Sequence, residues 1–308
     1  MRILVAGAGA TGGYFGARLA QAGRDVTFLV RPARAEQLRR NGLRVVSPHG
    51  DVTLTPRLLL VSGETTDPFD AVILAVKAYA LDGALKDLAP AVGSRTMIVP
   101  LLNGIRHLDV LVARFGEAAV LGGVCIVATM LDAQGCIVQL NEMQELVYGE
   151  RDGSLSTRLH ALDAALSGAG FAARASAEVL PEMWEKWVLL ATTGALTCLL
   201  RGTVGEIEAV PGGTELALRF LAEAVGVAAA SGYPPREAFL ARTRGMLTAK
   251  GSGFASSMYR DLQGGAPVEV EHILADMLRR AGAMGLAVPL LEAAVAQLRI
   301  YQNRVVAK

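Results

Sequence analysis

Residues 1–16 read MRILVAGAGATGGYFG, and this stretch decides the fold class. Residues 2–6 form an apolar run typical of a buried strand, and residues 10–22 have the alanine- and leucine-rich composition of a helix. A second apolar, β-branched run follows at residues 25–30. These segments predict a βαβ unit of about thirty residues, which is the setting in which a glycine-rich turn binds a dinucleotide.

The glycine spacing in this turn predicts contact with the pyrophosphate of a dinucleotide. Gly7 permits the tight turn, Gly9 lets the backbone approach the phosphates, and Gly12 lets helix and strand pack closely. The helix N-terminus adds unpaired N–H groups and the positive end of its dipole. The alternative is that these glycines only allow an ordinary turn between a strand and a helix, without binding a ligand. The predicted cofactor loop consists of Gly7, Ala8, Gly9, Ala10, Thr11 and Gly12.

Composition restricts the class of protein. The chain has 308 residues, which is long for one compact core and favours two domains. Its net charge is +1 and no run of Lys or Arg exceeds a pair, so we expect no nucleic-acid partner. No segment reaches the roughly eighteen apolar residues of a spanning helix, so we expect no membrane insertion. Three widely spaced cysteines and four isolated histidines favour neither disulfides nor a metal site, which predicts a cytoplasmic protein.

The order of the segments predicts two domains of different character. Strand-like and helical segments alternate in the first half, and helical segments follow one another from Val179 onward. The fold class is therefore predicted to be α/β, with an N-terminal Rossmann dinucleotide-binding domain at residues 1–174 and an all-α C-terminal domain at residues 175–308. Later strands are expected at 43–46, 52–54, 70–76, 96–100, 120–130, 137–140, 145–148 and 171–174, with the sheet finishing antiparallel.

Three polar residues follow predicted strands, at the edge where ligands bind in such sheets. Arg31 stands where an NAD enzyme usually carries an acid for the ribose hydroxyls, and a cation there suits a 2′-phosphate. Arg31 therefore predicts NADPH as the cofactor, with a solvated surface arginine as the alternative. Lys77 and Asn103 are cofactor-site candidates, and each is equally well explained as a polar loop residue.

Lys186 stands out in the helical half of the chain. The sequence has only five lysines against twenty-five arginines, and this one lies between Trp184 and Trp187 before a strongly apolar run. A lysine in such surroundings can donate a proton near neutral pH. The alternative is a lysine whose stem covers apolar surface while its charge stays in water. Further along the chain, spacing alone explains Ser256-Ser257 as the N-cap of a helix. It likewise explains Glu269 as an acid near a helix start, where it interacts favourably with the helix dipole.

The order and spacing of these motifs resemble the ketopantoate reductase (2-dehydropantoate 2-reductase) family over essentially the whole chain. The resemblance implies a Rossmann domain, a helical C-terminal domain and NADPH-dependent reduction of a 2-oxo acid. In this family the reaction is the reduction of 2-dehydropantoate to pantoate, a step of pantothenate biosynthesis. The motifs that carry the resemblance are Gly7-Ala-Gly9-Ala-Thr-Gly12, Lys77, Asn103-Gly104, Trp184-Glu-Lys186, Ser256-Ser257-Met258, Asp261 and Glu269.

The resemblance also implies roles for individual residues. Lys186 corresponds to the catalytic lysine that protonates the nascent alkoxide, and Glu269 to the catalytic acid that orients lysine and substrate. Asn103 matches a contact to both cofactor and substrate, Ser257 a substrate contact, and Lys77 a lysine of the cofactor site. Family members occur as monomers and as dimers, and apolar helical segments in the C-terminal half favour a homodimer.

The sequence departs from the family where the substrate is recognised. The family usually carries asparagines four and eight residues after the catalytic lysine, and this chain has Leu190 and Gly194 there. Three nearby threonines could supply hydroxyls instead: Thr192, Thr193 and Thr197. Two alternatives to ketopantoate reduction therefore stay open. One is a reductase of a different branched 2-oxo acid, and the other is a catalytically idle NADP-binding redox sensor.

Overall fold

A computed structural model describes residues 1–61 and 67–306 of the chain. The chain forms two compact units, Met1–Leu102 with His107–Leu180, and Asn103–Arg106 with Pro181–Lys308. The elements that lie wholly or mostly in the first unit are, in chain order, β1 (Arg2–Ala6), α1 (Ala10–Gln21), β2 (Asp25–Val30), α2 (Pro32–Asn41), β3 (Leu43–Val46), β4 (Val52–Leu54), β5 (Arg57–Leu60), β6 (Ala71–Leu74), α3 (Leu81–Leu88), β7 (Met97–Pro100), α4 (Arg106–Phe115), β8 (Gly122–Leu131), β9 (Ile137–Gly149), α5 (Thr157–Leu166) and β10 (Ala172–Ala175).

The first sheet is parallel throughout, with strand order β5-β2-β1-β6-β7. Its central strand β1 places Val5 between Phe28 of β2 and Ile73 of β6. All three side chains are fully buried, which explains why these strands are continuous apolar runs rather than alternating ones. Strand order and crossover helices confirm the predicted α/β class for this half of the chain.

A second five-stranded sheet differs from the single sheet that the sequence predicts. Its order is β10-β9-β3-β4, and β8 pairs antiparallel with β9. The predicted antiparallel pairing is confirmed for β8 and β9. It belongs to a separate sheet, which also contains the predicted β3–β4 hairpin through pairing of β3 with β9. The two runs expected at 137–140 and 145–148 form one strand, because a bulge places residues 140–143 of β9 opposite Ala128 of β8 while the ladder continues on both sides.

The predicted domain boundary after Arg174 lies inside β10. This strand pairs with β9 through Ala172–Ala175, so its residues remain part of the second sheet. The first unit extends from there to Leu180. The short strand β5 had no counterpart in the prediction, because its four residues form a partly exposed edge of the first sheet.

The second unit is helical, and no strand occurs among its described residues, 103–106 and 181–306. It contains most of α6 (Val179–Leu200), followed by α7 (Val204–Glu208), α8 (Gly213–Ala230), α9 (Glu237–Leu247), α10 (Ser257–Gln263), a π-helical turn (Glu271–Ala275), α11 (Asp276–Ala283) and α12 (Pro289–Val306). This confirms the predicted helical C-terminal half. Within residues 1–61 and 67–306, no helix combines the length and the apolar character needed to cross a membrane.

Candidate functional site

The glycines of the β1–α1 turn serve different physical purposes. Gly7 has a φ of +104°, and a Cβ there would lie 2.7 Å from the carbonyl oxygen of Ala75. A Cβ on Gly12 would lie 2.2 Å from the Gly7 carbonyl oxygen and 2.7 Å from Cβ of Ala75. These two positions must be glycine because the turn packs directly against the chain leaving β6. They fix the shape of the loop.

Gly9 differs, because a Cβ built on it would meet no atom within 4 Å among the described residues. It is the N-cap of α1, it supplies no side-chain cap, and the first turn of the helix carries no acid. The first N–H groups of α1 therefore have no N-cap side chain as acceptor, and no acid in the first turn offsets the positive end of its dipole. This arrangement fits the pyrophosphate of a dinucleotide.

Two of the predicted cofactor residues lie at the carboxyl edge of the same sheet as the loop. Exposed Arg31 follows β2 directly, and its Nη2 lies 3.6 Å from the Cβ position of Gly83 in α3. Exposed Lys77 follows β6 by three residues and precedes a 3₁₀ turn. Since β2, β1 and β6 are neighbours, both cations belong to strands that flank the strand of the glycine loop.

The sequence analysis did not identify Arg34, whose hydrogen bonds connect the glycine loop after β1 to the turn between β8 and β9. Its Nε donates to the carbonyl oxygen of Ala8 at 3.0 Å, and its Nη1 donates to the carbonyl oxygen of Gly135 in the β8–β9 turn at 3.1 Å. Its Nη2 is buried and has no hydrogen-bond partner among the described residues, and burial lowers the pKa of the guanidinium. The available signal was its position three residues after Arg31, on the same side of α2.

In the second unit, both neighbours of Lys186 on α6 are held firmly. Glu185 is buried and accepts three hydrogen bonds from Arg236, from the backbone N–H at 2.9 Å, Nε at 2.8 Å and Nη2 at 2.6 Å. Trp187 is 1% exposed, and its ring lies 4.9 Å from that of Trp184. Trp184 in turn stacks on Tyr233. Lys186 itself is half-buried, and its backbone lies between the two buried neighbours on α6.

A π-helical turn joins α6 to the segment that carries Glu269. The indole Nε1 of Trp187 donates to the carbonyl oxygen of Ile273 at 2.8 Å, and Ile273 lies within this turn. Glu269 is 9% exposed and stands two residues before the turn. Turns of this type are rare and concentrate at functional sites. One hydrogen bond therefore connects the helix of the predicted catalytic lysine to the turn that follows the predicted acid.

The same turn receives the loop that carries Asn103. A Cβ on Gly104, whose φ is +78°, would lie 2.5 Å from the carbonyl oxygen of His272, so the loop approaches the turn as closely as glycine allows. Burial, and then the charge of Arg106, lower the pKa of His272. The second unit thus brings the segments of Lys186, Glu269 and Asn103 to one place.

The paired serines at the start of α10 have separate roles. Ser256 is the buried N-cap, and its Oγ accepts from the backbone N–H of Tyr259 at 3.0 Å, so the capping interpretation is correct for this residue. Ser257 is the first residue of the helix and is exposed, which leaves it available to a ligand. Among residues 1–61 and 67–306, no group of three or more His, Cys, Asp or Glu side chains could hold a metal ion.

Known sequences match the chain along nearly its whole length. Residues 3–153 match the family model described as Ketopantoate reductase PanE/ApbA, and residues 178–302 match Ketopantoate reductase PanE/ApbA C terminal. The uncharacterized oxidoreductase YkpB of Bacillus subtilis is 36% identical over 302 residues, which cover 98% of this chain and 99% of that protein.

Solved structures share the fold. The 2-dehydropantoate 2-reductase from Methylococcus capsulatus has a TM-score of 0.87 at 28% identity, covering 99% of this chain and 98% of that one. A D-mandelate dehydrogenase, solved with NADH and anilino(oxo)acetate, also has a TM-score of 0.87, covering 99% of both chains. Its identity is 22%, so this second likeness concerns the fold alone.

The glycine loop generates a paired prediction. Gly12→Ala should lower the free energy of unfolding by roughly 1–3 kcal/mol or more, because its Cβ meets a backbone carbonyl that cannot move aside. Gly9→Ala, with open space around its Cβ, should stay within about 1 kcal/mol of the parent but bind a dinucleotide more weakly. Urea unfolding and calorimetric titration measure the two effects. Equal stability of the two variants would contradict the packing described for Gly12.

The Trp187–Ile273 hydrogen bond generates a second prediction. Trp187→Phe keeps an aromatic ring but leaves the buried Ile273 carbonyl without its donor, which should cost about 1–3 kcal/mol of unfolding free energy. Trp184→Phe is the matched control, since it preserves a ring against Tyr233. Urea unfolding of both variants provides the comparison. A larger loss in the control would show that ring packing, not the hydrogen bond, holds the π-helical turn.

Proposed function

The chain belongs to the ketopantoate reductase family, whose members are NAD(P)-dependent 2-oxo acid reductases, and on that premise we propose that it reduces a branched 2-oxo acid to the 2-hydroxy acid with NADPH. The observation that carries the proposal is the 2.8 Å hydrogen bond from Trp187 to Ile273. It joins the helix of a candidate proton donor to the turn that follows a buried carboxylate.

The proposed chemistry follows from the charge that the reaction creates. The cofactor, when bound, supplies a hydride to the C2 carbonyl carbon of the acid. Negative charge then develops on the carbonyl oxygen and must be met by a proton or a cation. Lys186 is proposed to donate that proton from Nζ, and Glu269 to orient the ammonium. Asn103 and Ser257 are proposed to hold the carbonyl and carboxylate that every 2-oxo acid carries.

The proposed cofactor site lies on the first unit. Family membership supports a nicotinamide dinucleotide, and the preference for NADPH is our inference from Arg31. The loop of Gly7, Ala8, Gly9, Ala10, Thr11 and Gly12 would hold the pyrophosphate at the N-terminus of α1. Arg31 and Lys77 would supply positive charge on either side of it. An acid at the end of β2 would repel a 2′-phosphate, and this chain has Arg31 there instead.

Three features of the proposal are predictions: the identity of the substrate, a homodimer and a cytoplasmic location. 2-Dehydropantoate is the substrate that the family name carries, and a different branched 2-oxo acid is its competitor. A homodimer and a cytoplasmic location are likewise inferred from the sequence. The alternative of an idle redox sensor is less favoured, because Lys186 and Glu269 occur together with Asn103 and Ser257, and a sensor needs only the cofactor loop and Arg31.

Lys186 gives the most direct test of the proposed reaction. Lys186→Ala should lower kcat by roughly 10²–10⁴, the usual worth of a positioned acid, whereas NADPH affinity should change little. Lys186→Arg should not restore activity, because a guanidinium holds its proton too tightly. Steady-state kinetics and calorimetric titration separate the two effects. Near-normal turnover in Lys186→Ala would refute the mechanism.

Arg31 tests the cofactor preference. Arg31→Ala should weaken NADPH binding by about ten- to a hundred-fold, which corresponds to the loss of a charge-assisted contact to the 2′-phosphate. NADH binding should be nearly unchanged, because NADH lacks that phosphate. Calorimetric titration of the parent and the variant with both cofactors measures this. The assignment fails if NADPH affinity is unaffected or if the parent binds both cofactors equally.

A further inference from the structure

Arg34 fixes the direction of one peptide group in the glycine loop. Its Nε donates to the carbonyl oxygen of Ala8 at 3.0 Å. The described residues contain no cis peptide bond, so the peptide between Ala8 and Gly9 is trans and planar. In such a peptide the C=O and the following N–H point in opposite directions. Because the Ala8 carbonyl faces Arg34, the Gly9 N–H points away from Arg34.

The Gly9 N–H is a donor that a ligand can reach. Among residues 1–61 and 67–306, no backbone or side-chain acceptor receives a hydrogen bond from it. Gly9 is the N-cap of α1, and it is partly exposed together with Ala10 and Thr11, the first two residues of the helix. Backbone N–H groups at the start of a helix are well placed to bind phosphate oxygens.

Arg34 is itself held in place from its other side. Its Nη1 donates to the carbonyl oxygen of Gly135 at 3.1 Å and to Oε1 of Gln37. Gln37 Nε2 donates to the carbonyl oxygen of Gln134 at 3.0 Å. A Cβ on Gly135 would lie 2.3 Å from Gln37 Nε2, so the β8–β9 turn packs directly on α2. A guanidinium fixed by such contacts needs little reorganisation when a ligand binds.

We propose that Arg34 is a positioning residue of the cofactor site, which holds the Ala8–Gly9 peptide so that the Gly9 N–H donates to the pyrophosphate of the dinucleotide. This inference rests on the proposed function, which places the pyrophosphate at the glycine loop. Arg34 acts through the peptide, since its Nη2 is buried. NADH and NADPH share the pyrophosphate, so Arg34 supports the binding of both, whereas the proposed role of Arg31 is to distinguish between them.

Arg34→Met tests the proposal, because it keeps a stem of similar length and removes every donor of the guanidinium. The Kd values for NADH and NADPH should rise by the same factor, about ten-fold or more, which corresponds to the loss of one hydrogen bond to a charged group. Calorimetric titration of the parent and the variant with both cofactors measures this. Unchanged affinities would overturn the proposal. A larger loss for NADPH than for NADH would also overturn it, because the charge of Arg34 would then act on the 2′-phosphate.

Gln37→Leu is the matched control on the same helix. It removes the hydrogen bonds of Gln37 to Arg34 and to the carbonyl oxygen of Gln134, but it leaves the bond from Arg34 Nε to Ala8. Both Kd values should therefore stay within about threefold of the parent. Urea unfolding of the two variants reports any loss of stability separately from affinity. Equal losses of affinity in both variants would show that support of the β8–β9 turn sets cofactor binding, and would refute the role of Arg34.

A crystal structure of the unmodified protein with NADPH tests the contact itself, whether or not the variants fold. The Gly9 nitrogen should lie within about 3.2 Å of a pyrophosphate oxygen. Arg34 Nε should remain on the Ala8 carbonyl, and a complex that lacks either contact would contradict the proposal. If the protein binds both cofactors but reduces no 2-oxo acid, the proposed reaction fails and the role of Arg34 stands. If it binds neither cofactor, both fail.

Discussion

The arrangement of the candidate catalytic residues depends on one hydrogen bond, from the indole N–H of Trp187 to the carbonyl oxygen of Ile273. A π-helical turn is an unfavourable conformation that persists only where its surroundings hold it. Trp187 holds this one from the side of α6, and Gly104 allows a loop to pack against it from another direction. Lys186 is the residue before Trp187, so a side chain that stabilises the turn also fixes the backbone of the proposed proton donor.

The fold was predictable where the signal is local. Strands β1 and β2 and the β3–β4 hairpin have the predicted bounds, because each is a short apolar run beside a glycine- or proline-containing turn. The second sheet was not predictable, because its strands come from segments far apart in the chain, as when Val45 pairs with Ile137. The single long β9 was also missed, since polar residues in its middle resemble a loop when the partner strand is unknown.

The sequence predicted which residue types occur at the candidate site, but not the contacts that those residues make. Arg31 and the glycine loop are placed by strand order, which the alternation of segments indicates. The spacing from Arg31 indicates only the side of α2 on which Arg34 lies, and its partners were missed because they are the backbone carbonyls of Ala8 and Gly135. Thr193 and Thr197, two of the three threonines named after Lys186, were misjudged for a similar reason. A hydroxyl that bonds its own helix four residues back has the same spacing as one that faces a ligand.

The register shift in β8 has a consequence for the solution behaviour of the chain. Within residues 1–61 and 67–306, this ten-residue strand has β9 as its one ladder partner and exposes Ile126, Met130 and Leu131. A long, regular and apolar strand at a sheet edge is a template for unwanted pairing with another molecule. Residues 140–143 of β9 bulge opposite Ala128, and such a bulge bends the paired strands and increases their twist near the middle of β8. The bulge in β9 therefore also makes the exposed edge of β8 a poorer template for pairing with another molecule.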